Sequence, residues 1–149
     1  MTTFSRSPAA KMRAKATLYH NPSCSKSRSA LGILSDFNEG RPAAEQVLFD
    51  VVEYLQTPPD AATIESILRM LPPDEQSSTL LNPLRIVRTG NAEFTALHLD
   101  QLDPTNAVDR QQLLEAMVSH PSLIERPIFV KDDRAVIGRP PERVLDLLH

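Results

Sequence analysis

Apolar residues fall into short runs along this chain, and the spacing inside each run predicts an element. Residues 16–19 (Ala-Thr-Leu-Tyr) are short and apolar and are cut off by Asn21-Pro22, which predicts a buried strand ending in a turn. Ala30, Leu31, Ile33, Leu34 and Phe37 then recur at helical spacing. They predict a helix over about 25–37, ended by Asn38, Gly40 and Pro42. Residues 47–54 alternate poorly but are rich in β-branched and aromatic side chains, the composition of a second strand. Strand, helix and strand in this order predict a βαβ unit with parallel strands and a right-handed crossover.

The middle of the chain reads as helical. Thr57-Pro58-Pro59-Asp60 forms a loop that starts a helix with Ile64, Ile67, Leu68 and Leu71 on its apolar face, stopped by Pro72-Pro73. Residues 77–88 look helical but broken near Pro83, and 92–97 form a short helical turn. A further helix covers 108–118, with Val108, Leu113, Leu114, Met117 and Val118 sharing much of one side and His120-Pro121 closing it. The pattern then changes. Strands at 127–130 and 135–137 flank Lys131-Asp132-Asp133-Arg134, an antiparallel hairpin ended by Gly138-Arg139-Pro140-Pro141. A last helix over 142–148 turns Val144, Leu145 and Leu148 inward. The expected fold is therefore α/β: a small mixed sheet (βαβ…ββα) in a domain over 16–149, with a helical insertion over about 58–120.

Composition narrows the function. A chain of 149 residues that is 41% hydrophobic and 23% charged reads as an ordinary globular domain. No apolar run approaches the ~18 residues of a membrane span, so no membrane partner is expected. A net charge of −3 argues against a general nucleic-acid binder. The first fifteen residues carry Arg6, Lys11, Arg13 and Lys15 and no acid, a charge of +4; the remaining 12 basic and 19 acidic residues give −7. Residues 1–15 are expected to form a disordered basic tail or to precede a true start at Met12, with a transit peptide as a fainter alternative. The sequence holds one cysteine. No internal disulfide can form, which suits a reducing cytoplasm. Any disulfide made by Cys24 must be with another molecule.

That cysteine sits in the most informative stretch, His20-Asn21-Pro22-Ser23-Cys24-Ser25-Lys26-Ser27-Arg28, which joins the end of a strand to the start of a helix. Ligands bind at such ends in open α/β sheets. The first helical turn presents unpaired N–H groups and about half a positive charge, which bias a thiol there toward thiolate. Lys26, Arg28 and His20 would push the same way, while the small residues Ser23, Ser25 and Ser27 leave room for an oxyanion. An alternative is a small buried hydrophobe, but the neighbours of Cys24 are polar and basic. His20 reads equally as a tuning group or as a strand-end histidine. His20, His98, His120 and His149 are scattered, with no cysteine or carboxylate at ligand spacing, so no metal is expected.

The segment from Tyr19 to Arg28 resembles the active-site signature of the ArsC family of glutaredoxin-linked arsenate reductases. Three further landmarks of that family follow in order. Arg88 precedes Glu93-Phe94 and Leu97, Arg126 precedes Pro127-Ile128, and Gly138-Arg139-Pro140 precedes the terminal helix. The resemblance implies a thioredoxin-like sheet with an inserted helical region and a cis peptide at Arg126-Pro127. It also implies a reaction: the Cys24 thiolate attacks arsenate and forms a covalent adduct, glutathione joins, glutaredoxin reduces the mixed species, and arsenite leaves. On that reading Arg88, Arg126 and Arg139 bind the oxyanion, and His20, Ser27 and Arg28 support the site. Glutathione is a co-substrate, glutaredoxin is the partner, and no cofactor is bound. Guanidinium forks suit tetrahedral oxyanions and offset the repulsion between thiolate and anion.

Taken singly, each arginine has a plainer reading. Arg88 could be a surface residue at a helix end, Arg126 could pair with Glu125, and Arg139 could cap the last helix. Two other functions also remain open. One is a related thiol oxidoreductase acting on a glutathione adduct or a different oxyanion. The other is a non-catalytic transcriptional regulator like Spx, which Ser27 in place of a second cysteine disfavours.

Overall fold

The first strand, β1 (Ala16–His20), alternates buried and half-buried side chains along its length, as a strand covered on both faces must. The computed structural model describes residues 16–72 and 82–148, so the basic tail and the first part of the helix expected over 77–88 lie outside the described residues. β1 pairs in parallel with β2 (Phe49–Glu53) and antiparallel with β3 (Ile128–Lys131), which pairs antiparallel with β4 (Arg134–Ile137). The sheet order is β2-β1-β3-β4, a mixed sheet as the sequence predicts.

Alternation sorts each strand between two apolar layers. Ala16 and Leu18 of β1, Phe129 of β3 and Val136 of β4 pack with Ala30 and Leu34 of α1 (Ser25–Asn38) and with Val144 and Leu147. Ile128 and Ala135 face the other way, onto Ile64, Ile67 and Leu68 of α2 (Ala61–Met70) and Leu113, Leu114 and Met117 of α4 (Ala107–Ser119). A short α3 (Ala92–Ala96) contributes Phe94 to that second layer. No helix among the described residues is long and apolar enough to cross a membrane.

Four elements depart from the sequence reading, each for a local reason. β2 begins at Phe49 rather than at residue 47, because the Asn38 side chain takes both backbone groups of Val47: Val47 N donates to Oδ1 at 2.7 Å, and Nδ2 donates to its carbonyl at 2.8 Å. Val108, expected on an apolar face, is 67% exposed at the first turn of α4. Residues 83–86 form a 3₁₀ turn, with Pro83 at its first position and Asn82 capping Leu84 N at 2.9 Å. The last helix is 3₁₀ over Pro141–Leu147. Its three-residue period puts Val144 and Leu147 on the buried face, Leu148 packs half-buried against the same layer as expected, and Leu145 is only half-buried.

A bidentate pair ties the helical layer together. Arg110 Nη1 and Nη2 donate to the two carboxylate oxygens of Glu65 at 2.7 and 2.6 Å, joining α2 to α4. The Arg110 hydrogen bonds hold the Glu65 carboxyl below the usual carboxylate range. Because the folded-state pKa is depressed, the pair's contribution is complete above the unfolded glutamate pKa and fades as pH falls through the folded one. Glu65→Gln is expected to cost about 1.5–3 kcal/mol at neutral pH. Denaturant titrations of the two proteins should converge as the pH falls through the depressed folded-state pKa of Glu65.

Candidate functional site

Sheet register gathers the site at one edge. β1 and β2 run in parallel, so the 21–24 loop and Tyr54 follow their strands at the same end, with His20 opposite Glu53. β3 is antiparallel to β1, so Arg126-Pro127, just before it, lies at that same end. The exit of β4 returns there, and Gly138 N donates to the Pro127 carbonyl at 2.8 Å. This close approach demands glycine, since a Cβ at Gly138 would lie 2.8 Å from Pro127 Cγ. Arg126-Pro127 is cis, and so is Arg139-Pro140. A bridge between Val87 and Ile124 brings in the fourth segment, with Arg88 N donating to Leu123 O at 2.7 Å and Glu125 N to Ile86 O at 2.6 Å.

Cys24 is the N-cap residue of α1, with extended backbone angles (φ −96°, ψ 125°) and no capping hydrogen bond from its side chain. Asn21-Pro22 forms the turn that sets it there, closed by Cys24 N donating to Asn21 O at 3.0 Å. Its exposure is only 9%. Burial pushes the thiol pKa up, but the backbone N–H groups of Ser27 and Lys26 and then the Arg126 guanidinium outweigh it, so the net value lies below that of an ordinary cysteine. The helix N-terminus therefore acts through specific amides, and one arginine from a distant segment adds to it.

His20 and Ser27 are both buried and belong to one small network. Ser27 Oγ accepts from Asn21 N at 2.9 Å and lies 2.8 Å from His20 Nδ1. Burial holds the His20 pKa below its ordinary value, so the imidazole is neutral at neutral pH. His20 thus braces the turn that presents Ser27 N–H to the sulfur. Arg28 is exposed, donates to Pro22 O at 3.0 Å and pushes the His20 pKa down, but it is not among the groups that lower the thiol.

The three distant arginines hold different places. Arg126 acts directly on the sulfur, yet its Nε and Nη1 are buried with no hydrogen-bond partner among the described residues. Arg88 is half-buried and acts electrostatically on Tyr54. Arg139, with a side chain 37% exposed, sits at the rim, 3.6 Å from Glu125 Oε1, and donates to Arg126 O at 3.4 Å. Glu125 thus pairs with Arg139, not with Arg126.

Two features escaped the sequence reading. Glu93 accepts from the Ser122 hydroxyl and lies 3.1 Å from His120 Nδ1, while Asn91 Nδ2 donates to Ser122 O at 3.2 Å. These bonds staple α3 to residues 120–122 and so fix the turn that carries Arg88. The second is Tyr54, which the sequence reading placed only as the end of a strand. An aromatic hydroxyl at the outgoing end of a strand parallel to β1 was the available signal.

Fold and site together define a thioredoxin-like α/β protein with a thiol at the N-terminus of its first helix. The chain belongs to the ArsC family, whose model matches residues 19–147. It is 38% identical over 132 residues to an arsenate reductase of Haemophilus influenzae, covering 88% of this chain and 97% of that one. It is 37% identical over 138 residues to the uncharacterized protein YfgD of Escherichia coli (strain K12), covering 92% and 99%. The solved structure of an arsenate reductase from Vibrio cholerae superposes with a TM-score of 0.70 at 32% identity, over 89% of this chain and 96% of that chain.

Proposed function

We propose that this protein is a thiol-dependent arsenate reductase with Cys24 as nucleophile and Arg88, Arg126 and Arg139 as the oxyanion-binding set. One observation carries the reading: a thiol of lowered pKa lies beside a guanidinium whose Nε and Nη1 are buried and unpartnered among the described residues. Buried donors normally find acceptors, and a tetrahedral oxyanion would supply them.

In the proposed cycle the Cys24 thiolate attacks arsenic and an oxygen leaves as water after protonation, forming a sulfur–arsenic bond with no change in oxidation state. A glutathione thiolate then attacks the Cys24 sulfur. The sulfur–arsenic pair of electrons departs with arsenic as arsenite, and a Cys24–glutathione disulfide remains. Two electrons have passed from the two thiols to arsenic. Glutaredoxin reduces the mixed disulfide and restores the thiol. The single cysteine in the sequence favours this external route, because the chain holds no second thiol to resolve the adduct. The relatives named as arsenate reductases support the choice of oxyanion.

The test is NADPH oxidation coupled through glutathione reductase, glutathione and glutaredoxin. The expected result is turnover that requires both arsenate and glutaredoxin. Binding to RNA polymerase without turnover would turn the assignment toward the regulator class instead.

A further inference from the structure

Tyr54 is 1% exposed, and its hydroxyl is buried without a hydrogen-bond partner among the described residues. A phenol in such a place ordinarily finds an acceptor, because leaving the hydroxyl unpaired costs free energy. The core cannot provide the reason, since the ring packs in an apolar layer that Phe would fill equally well. The position supplies one. Tyr54 follows Glu53, the partner of His20, so it emerges from the sheet at the same end as the 21–24 loop. Arg126 enters β3 at that end, and its Nε and Nη1 are the other buried unpartnered side-chain atoms among the described residues.

We infer that the Tyr54 hydroxyl is a hydrogen-bond donor to the oxyanion bound at Cys24, completing with Arg126 a ring of donors that closes around the substrate. The inference rests on the oxyanion-binding reading of the site. A neutral donor suits this place, because it adds a directed hydrogen bond without adding charge that would over-stabilise the thiolate. The hydroxyl also stays protonated in use: burial is the main cause that pushes its pKa up to about 12, with the charge of Cys24 helping and Arg126, Arg88 and, least, a hydrogen-bonding interaction with the Asn21 side chain opposing. The group therefore donates and does not act as a base at neutral pH. Tyr54 would contact substrate oxygen, which makes it a binding residue beyond the three arginines.

The test measures alkylation of Cys24 by iodoacetamide with increasing arsenate, and separately with inorganic phosphate, in the wild type and in Tyr54→Phe. Each protein is scored against its own unprotected rate. The expected result is protection of the wild type, with the half-protecting concentration raised about tenfold for both anions in Tyr54→Phe, as loss of one hydrogen bond to a charged ligand predicts. The thermal midpoint should stay level or rise, because the lost hydroxyl makes no close hydrogen bond among the described residues. Equal protection of both proteins would overturn the role of Tyr54 and leave the oxyanion site intact. Weakened protection accompanied by a lowered midpoint would assign Tyr54 to structure and equally overturn it. A wild type that neither anion protects would remove the oxyanion site, and this inference with it.

Discussion

Cys24→Ser is expected to be inactive. Activity should fall at least ~10³-fold, because a serine hydroxyl is not ionised near neutral pH and is a far weaker nucleophile than a thiolate. His20 is buried, and its Nδ1 contacts Ser27 Oγ. Coupled turnover checks the loss of activity, and a variant that kept more than a few per cent of the rate would contradict the assignment of Cys24 as the thiolate nucleophile. Serine can cap α1 at this position, but it gives up the thiolate that the Ser27 and Lys26 amides and Arg126 favour, so no gain in stability is expected.

Arg126 carries the second large effect, and two substitutions separate its parts. The guanidinium favours the Cys24 anion and leaves two N–H groups unpartnered among the described residues. Arg126→Met removes charge and donors together. The thiol pKa should rise, since a group that stabilises the anion is gone, so the pH midpoint of alkylation moves upward and the thiolate fraction at pH 7 falls. Arg126→Lys keeps the charge but replaces a planar fork with a point donor. Its alkylation midpoint should stay closer to that of the wild type, while kcat/KM for arsenate still drops by about 10²–10³, the usual cost of losing a donor aimed at developing negative charge. An unchanged alkylation midpoint in Arg126→Met would mean that the amides of Ser27 and Lys26 set the thiol alone. The neighbouring Arg139 should behave differently, because it is half in solvent and shares its charge with Glu125.

Much of this was written in the linear order of residues. The short apolar run at 16–19, the helical spacing from Ala30 to Phe37 and the hairpin around Asp132-Asp133 specify a βαβ unit and an antiparallel pair, and the structure has both. Asp132, at φ 57°, takes the left-handed turn position that Asp tolerates. Cys24 was equally legible, because strand, turn, cysteine and helix are contiguous and their mutual geometry is local. Local patterns fail where a distant or competing partner decides. The start of β2 was misplaced because Asn38, nine residues earlier, captures the backbone of Val47. The sequence does not tell the last helix as 3₁₀, because three- and four-residue spacings overlap in a segment of seven residues.

Sequence alone thus determined the strand–helix framework and the place of Cys24 at the start of the first helix, because both rest on neighbours a few residues apart. Only the tertiary structure decided which charge reaches the sulfur. Arg88, Arg126 and Arg139 look alike in a string of letters, but sheet register sets Arg126 against Cys24, ties Arg139 to Glu125 at the rim, and puts Arg88 beside a tyrosine that no local pattern singled out. Electrostatic influence falls off with distance through space, and separation along the chain does not measure that distance.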